Sequence, residues 1–123
     1  MVSTSEGGRF TVEVRHVPGA TVLRLAGVLD HDTAEPLRDA LEAVPVEDGT
    51  RVLVDFSDVG FCDSTGLNIL LRGRLTAEQA GARIELVGLR RPVERMFRIT
   101  GADEIFPVYA DVEEALAGRP HQH

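Results

Sequence analysis

Apolar side chains alternate with polar ones over residues 10–15. A period of two along a short segment predicts a strand with one buried face. The turn-forming pair Pro18 and Gly19 follows, and a second β-like run occupies residues 21–26. Two such runs at this separation predict an antiparallel hairpin at the start of the fold.

After a polar loop over residues 27–32, the apolar positions change to the spacing of a helix. One face of this amphipathic helix is predicted to contain Leu37, Ala40, Leu41 and Val44. Thr33 is the predicted N-cap, because this choice keeps Pro36 within the first turn, where its missing N–H costs little.

Three further helices are predicted along the chain. A helical pattern over residues 67–75 ends before Gly81, which suits a left-handed C-terminal cap. A third helix has Pro92 in its first turn and closes at Gly101. A last short helix begins at Asp111, because Glu114 follows at the spacing of a capping box.

The remaining strands have distinct patterns. Residues 51–56 contain the uninterrupted apolar stretch Val52-Leu53-Val54, which predicts a central strand buried on both faces. A loop then leads to Asp63. Residues 84–87 form the next predicted strand, and residues 105–109 are at most an edge strand, because Pro107 interrupts them.

The order ββαβαβα(β)α predicts an α/β fold. Strands joined through helices become parallel neighbours, whereas the hairpin is antiparallel. We therefore predict one domain over residues 9–117, with a mixed sheet of four to five strands and about four helices packed on it. Residues 1–8 are expected to be disordered, and residues 118–123, with His121 and His123, to form a flexible tail without a metal site.

The charged residues narrow the possible functions. Arginine supplies all 13 basic residues, so a P-loop, a protein kinase or a lysine Schiff base is excluded. The formal net charge of −7 disfavours nucleic acid and anionic membranes as ligands and favours a protein partner. A basic spot on the third helix is expected to be a solvated face, with contact to an acidic partner as the alternative; it contains Arg90, Arg91, Arg95 and Arg98.

The single cysteine and the hydropathy pattern bear on location. Cys62 has no partner for an internal disulfide, and a buried, unreactive thiol is expected. The chain has no apolar run near the roughly 18 residues of a membrane span, and no apolar segment follows Met1. These features predict a cytoplasmic protein.

Candidate chemistry is concentrated at Asp63-Ser64-Thr65-Gly66, the predicted start of a helix. The first N–H groups of a helix lack internal partners and lie at its positive dipole end, so a phosphate on Ser64 would be tolerated there. A simple N-cap explains the same residue types equally well. A serine hydrolase is disfavoured, because Cys62 replaces the first glycine of a nucleophile elbow and no histidine stands in a recognisable relation to Ser64.

Two segments together resemble a known family. Residues 55–67, above all Phe61-Cys62-Asp63-Ser64-Thr65-Gly66-Leu67, are similar to the phosphorylation-site loop of bacterial STAS-domain anti-sigma factor antagonists. The segment Gly27-Val28-Leu29-Asp30-His31-Asp32-Thr33-Ala34-Glu35 resembles the family's G-x-L-D…T-A segment. The resemblance extends from about residue 10 to residue 117 and includes the predicted order of elements.

The resemblance implies a switch that is not itself an enzyme. In that family the unphosphorylated antagonist binds an anti-sigma factor that is also an ATP-dependent serine kinase, and so releases the sigma factor. The kinase phosphorylates the antagonist, and a PP2C-type phosphatase removes the phosphate. The implied acceptor is Ser64, with Thr65 as runner-up. The implied partner-binding residues are Asp30, His31, Asp63, Ser64, Thr65 and Gly66.

Several alternatives remain open at this point. The resemblance implies no cofactor of the protein's own, because the partner kinase supplies ATP, and a monomer is favoured. Asp30 and Asp63 have an alternative role as caps of local backbone, and Gly66 as a small residue in a first turn. For the whole chain, the alternative is a STAS interaction subunit of a signalling scaffold or transport complex that has no phosphorylation switch.

Overall fold

A computed structural model describes residues 3–4 and 10–117 of the chain. The strands are β1 (Ser3–Thr4), β2 (Phe10–Val17), β3 (Ala20–Leu29), β4 (Arg51–Cys62), β5 (Arg83–Val87) and β6 (Val108–Tyr109). The helices are α1 (Glu35–Ala43), α2 (Ser64–Gln79), α3 (Arg91–Thr100) and α4 (Val112–Leu116), with a 3-10 turn at Ala102–Glu104. Apart from Ser3 and Thr4, the ends that were expected to be loose lie outside the described residues, as do His121 and His123.

The strands form one mixed sheet in the order β1-β2-β3-β4-β5-β6. β1, β2 and β3 are antiparallel neighbours, and β3 to β6 are parallel. The predicted fold class, with its opening hairpin and four helices, is confirmed. The structure has one strand more than the four to five predicted, because β1 is two residues long and too short to produce a pattern.

Apolar side chains cover both faces of β4, as its uninterrupted apolar stretch predicted. Val52 and Val54 belong to the main core, together with residues of α1, α2 and α3. Leu53 points to the opposite face, where it joins a smaller cluster that includes Tyr109 of β6 and Ala115 of α4. Three helices thus pack on one face of the sheet and α4 on the other.

β3 and β4 are longer than their patterns predicted. Residues 27–29 and 57–62 were expected to be loops, but they continue the two strands. The pairing between these strands shifts its register twice, between Arg24 and Ala26 and between Gly27 and Val28. Because a bulge breaks the alternation of side chains, the extended ends do not show the two-residue period of a regular strand.

Thr33 is not the N-cap of α1, contrary to the prediction. The cap is Ala34, which has no side-chain hydrogen bond, and Pro36 lies in the first turn as expected. Thr33 instead donates its hydroxyl to the carbonyl oxygen of Val28 at 2.6 Å and accepts the N–H of Asp30 at 2.9 Å. The hydroxyl therefore stabilises the loop before the helix rather than the helix itself.

The other predicted helix ends are confirmed. α3 closes at Gly101, whose φ of 81° is left-handed, and Gly81 just beyond α2 has a φ of 79°. At the start of α4, the carboxylate of Asp111 accepts the N–H of Glu114 at 2.8 Å. The carboxylate of Glu114 in turn accepts the N–H of Ala110 at 2.6 Å.

A buried carboxylate joins the two central parallel strands. The side chain of Glu85 in β5 is fully buried and accepts hydrogen bonds from Arg51 of β4 at 2.6 Å and from Arg83 at 2.8 Å. Arg51 also donates to the carbonyl oxygen of Ala115 in α4 at 2.7 Å. The hydrogen bond with Glu85 raises the pKa of Arg51, so its guanidinium stays charged.

Replacement of Glu85 by alanine is expected to lower the free energy of unfolding by about 3–5 kcal/mol, because it leaves the half-buried guanidinium of Arg51 without its carboxylate partner. Urea denaturation measures this change. Asp58→Ala is the matched control, because it removes the exposed Arg24–Asp58 ion pair of 2.7 Å, and a much smaller loss is expected. Equal losses for the two variants would contradict the role assigned to Glu85.

Candidate functional site

The two segments singled out in the sequence meet at one edge of the sheet. β3 and β4 run parallel, and their last paired residues are Leu29 and Cys62. The N–H of Asp63 donates to the carbonyl oxygen of Leu29 at 3.1 Å. The loop that follows β3 and the start of α2 are therefore side by side, although more than 30 residues separate them in the sequence.

The carboxylate of Asp63 holds this junction together. Its Oδ1 caps α2 by accepting the N–H of Thr65 at 2.8 Å and that of Gly66 at 3.4 Å. Its Oδ2 accepts the N–H of His31, in the loop after β3, at 3.2 Å. The capping role considered for Asp63 is confirmed, and the same group ties the two loops to each other.

Asp30 serves the backbone of its own loop. Its Oδ1 accepts the N–H of Asp32 at 2.9 Å and that of Thr33 at 3.1 Å. Asp30 is half-buried, whereas the side chains of His31 and Asp32 are exposed. Of this acidic loop, His31 and Asp32 are therefore more accessible to a partner than Asp30.

Gly66 faces the interior of the domain. A Cβ atom at this position would lie 2.7 Å from Cδ2 of Leu29 and 2.9 Å from Sγ of Cys62, closer than real Cβ contacts allow. The absence of a side chain thus lets the first turn of α2 pack against the ends of β3 and β4. The space beside Gly66 is thus filled by the side chains of Leu29 and Cys62 and is not open to a partner.

Cys62 is buried beneath the same turn, as predicted. Burial, with a smaller contribution from the nearby Asp63 carboxylate, raises the pKa of the Cys62 thiol to about 12. The group is therefore a neutral thiol at physiological pH, and a neutral thiol is a poor nucleophile.

The accessible hydroxyl of the site is that of Ser64. Ser64 is the first residue of α2 and its side chain is exposed, whereas Thr65 is half-buried. Among the residues that the structure describes, no hydrogen bond holds the Ser64 hydroxyl. Position and exposure rank Ser64 above Thr65 as a group that another protein can reach.

Two apolar residues of this edge were missed in the sequence analysis as site residues. Val28 and Phe61 are direct partners across β3 and β4, and they are 39% and 50% exposed. The pair directly follows the register shift between Gly27 and Val28. The sequence carries no signal of this, because both residues lay in predicted loops and their pairing depends on the register of the two strands.

Two other kinds of site are absent from residues 3–4 and 10–117. Within these ranges, His, Cys, Asp and Glu side chains nowhere gather in a group of three that could ligate a metal ion. The helices in the same ranges are all too short or too polar to span a bilayer.

The Asp63 cap is expected to contribute to the stability of the domain. Asp63→Ala is expected to lower the free energy of unfolding by about 1–2 kcal/mol, because the first turn of α2 loses its cap. Asp63→Asn keeps a capping oxygen but loses the acceptor for His31, so an intermediate loss is expected. Urea denaturation of the three proteins measures the order, and an alanine variant as stable as the wild type would contradict it.

Comparison with known proteins places these features in a family. Residues 12–109 match the family described as "Mlab, STAS domain". The anti-sigma-F factor antagonist RsfB of Mycobacterium tuberculosis is 31% identical over 111 residues, which are 89% of this chain and 88% of RsfB.

Solved structures agree with this match. An anti-sigma factor antagonist from Mycobacterium paratuberculosis superposes with a TM-score of 0.78 at 28% identity, covering 94% of this chain and 97% of that one. The anti-sigma factor antagonist SpoIIAA in its unphosphorylated form gives a TM-score of 0.71 at 25% identity, covering 87% and 94%. The phosphorylated form of the Bacillus protein SpoIIAA gives 0.65 at 24% identity, covering 87% and 97%.

These relatives are regulatory binding proteins rather than enzymes, in agreement with the expectation for this chain. The match covers most of the chain, and it includes both segments that meet at Asp63. The chain therefore belongs to the STAS-domain family of anti-sigma factor antagonists.

Proposed function

We propose that this protein is an anti-sigma factor antagonist whose binding is switched by phosphorylation of Ser64. The observation that carries the proposal is the exposed hydroxyl of Ser64 at the first residue of α2, beside groups that are otherwise committed to holding the loop. Unphosphorylated, the protein binds an anti-sigma factor that is also a serine kinase, and the sigma factor is released. A PP2C-type phosphatase restores the unphosphorylated state.

The charges around Ser64 explain how a phosphate would act. Asp63 already occupies the N–H groups of Thr65 and Gly66, so those donors are not free to receive a phosphate. A phosphate adds about −1.5 to −2 charges to a chain whose net charge is −7, next to the Asp63 carboxylate. The added charge would remain at the surface, where it opposes docking of a partner that presents carboxylates or apolar groups.

The exposed surface around Ser64 is the proposed contact for the kinase. Val28 and Phe61 provide apolar area, and the exposed His31 lies in the loop that Asp63 holds. Aromatic side chains that become buried in an interface commonly contribute a large share of the binding energy. Asp63 and Gly66 support this surface from below, and Asp30 shapes its loop.

The remaining features of the proposal follow from the proposed partners. The kinase supplies ATP, so the protein needs no cofactor, and both partners are expected in the cytoplasm. The exposed Ser64 favours this function over that of an interaction subunit without a switch. An absence of phosphate transfer combined with stable binding to another protein would favour the interaction subunit.

Ser64→Ala is expected to abolish phosphate incorporation by the cognate anti-sigma kinase and ATP. The reason is that the half-buried Thr65 is less accessible than the exposed Ser64. Intact-mass spectrometry after incubation measures one added phosphate on the wild type and none on the variant. Phosphate on the Ser64→Ala variant, which keeps Thr65, would show that the acceptor is Thr65 or another residue.

The matched control is Ser57→Ala, which removes the hydroxyl of an exposed serine in β4. This hydroxyl lies 2.6 Å from Oδ1 of Asp55, so it is held within its own chain. The control is expected to incorporate phosphate as the wild type does. The phosphorylated wild type is also expected to bind the kinase at least about tenfold more weakly than the unphosphorylated protein.

Phe61→Ala is expected to weaken binding of the unphosphorylated protein to the kinase by at least about tenfold, because the contact loses a buried aromatic anchor. Isothermal titration calorimetry measures the change. Ile99→Ala is the control, because Ile99 is 72% exposed near the end of α3, away from the edge that carries Ser64. Equal affinities for the wild type and Phe61→Ala would place the contact elsewhere.

A further inference from the structure

A groove lies between α1 and α2; Ser64 does not line it, but the neighbouring Thr65 does. Its volume is about 380 Å³, within the roughly 300–1,000 Å³ of small-molecule sites. Val52 of β4 and Ile84 of β5, which are partners in the sheet, form part of its floor. The apolar lining is completed by Leu41 of α1, Val46 beyond its end, and Ile69 and Ala77 of α2.

Gly73 of α2 is one of the residues that line this groove. It lies in the interior of α2, where a glycine is less stabilising than alanine. A Cβ atom at this position would be 3.3 Å from Cδ1 of Leu41 and 3.1 Å from Cδ1 of Ile84. The missing side chain therefore lets α2 pack closely against Leu41 and Ile84 at the base of the groove, at the cost of helix propensity.

The rim of the groove carries cationic groups without partners. Arg38 of α1 and Arg72 of α2 line the groove and are exposed. Neither forms an ion pair or a hydrogen bond with any residue in the described part of the chain, whereas Arg24, Arg51, Arg74 and Arg83 are all paired. One carboxylate, that of Glu42, also lines the groove, so the arginines leave a net positive charge.

We propose that this groove binds a single-chain amphiphile with an anionic head. The alkyl chain would cover the apolar floor, and the head would lie between the guanidinium groups of Arg38 and Arg72. A guanidinium matches the planar oxygen pair of a carboxylate and is less strongly hydrated than an ammonium, so it suits a head that is partly withdrawn from water.

Decanoate below its micelle concentration is a suitable probe of the intact chain, and isothermal titration calorimetry measures its binding. We expect saturable binding of one decanoate per chain. 1-Decanol, which lacks the charge, is expected to bind at least about tenfold more weakly, and acetate, which lacks the chain, to give no measurable heat. Absence of saturable decanoate binding, or equal affinity for decanol, would overturn the proposal.

The double variant Arg38→Gln/Arg72→Gln is expected to lose at least about tenfold in decanoate affinity while its weaker affinity for decanol is unchanged. Arg91→Gln/Arg95→Gln is the control, because it removes the same charge from an exposed face of α3 outside the groove. An equal loss in the control would show that only net charge matters and would overturn the site. Amide shifts in NMR spectra are expected at Asn68 and Gly73, and shifts confined to α3 would overturn it as well.

Discussion

The parallel pairing of β3 with β4 is the constraint on which the functional edge depends. It brings Leu29 and Cys62 side by side, so that the loop after one strand meets the helix that follows the other. Asp63 can then bond α2 with one oxygen and the N–H of His31 with the other. Without this pairing the two segments would be unrelated stretches of sequence.

The groups at this edge divide into those that hold it and those that are free. Asp30, Asp63 and Gly66 are occupied within the chain by hydrogen bonds or by close packing. Ser64 and Phe61 are exposed and face outward. A substitution of the first group is therefore expected to change stability and binding together, whereas a substitution of the second changes binding with the fold intact.

Much of this could be predicted from the sequence, where the determining physics is local. The left-handed end of α3 at Gly101 follows from residue type and spacing, and a cap at Asp63 was one of the roles considered for it. Thr33 was assigned wrongly, because its hydroxyl had a competing acceptor in the backbone of β3. The exposure of Phe61 and the burial of Glu85 depend on strand register and on arginines distant in sequence, which no local pattern contains.

Because Asp63 occupies the N-terminal donors of α2, it also affects where a phosphate on Ser64 can lie. In a helix with free N-terminal donors, a phosphate would fold back onto the N–H groups and its charge would be partly neutralised. Here Asp63 holds those donors, and releasing them would also free the loop that contains His31. A phosphate on Ser64 is thus better accommodated outside the domain than within it, so its effect would be on the partner's surface rather than on the fold. A switch of this kind changes affinity through charge alone, and it requires a rigid edge, which the pairing of β3 with β4 provides.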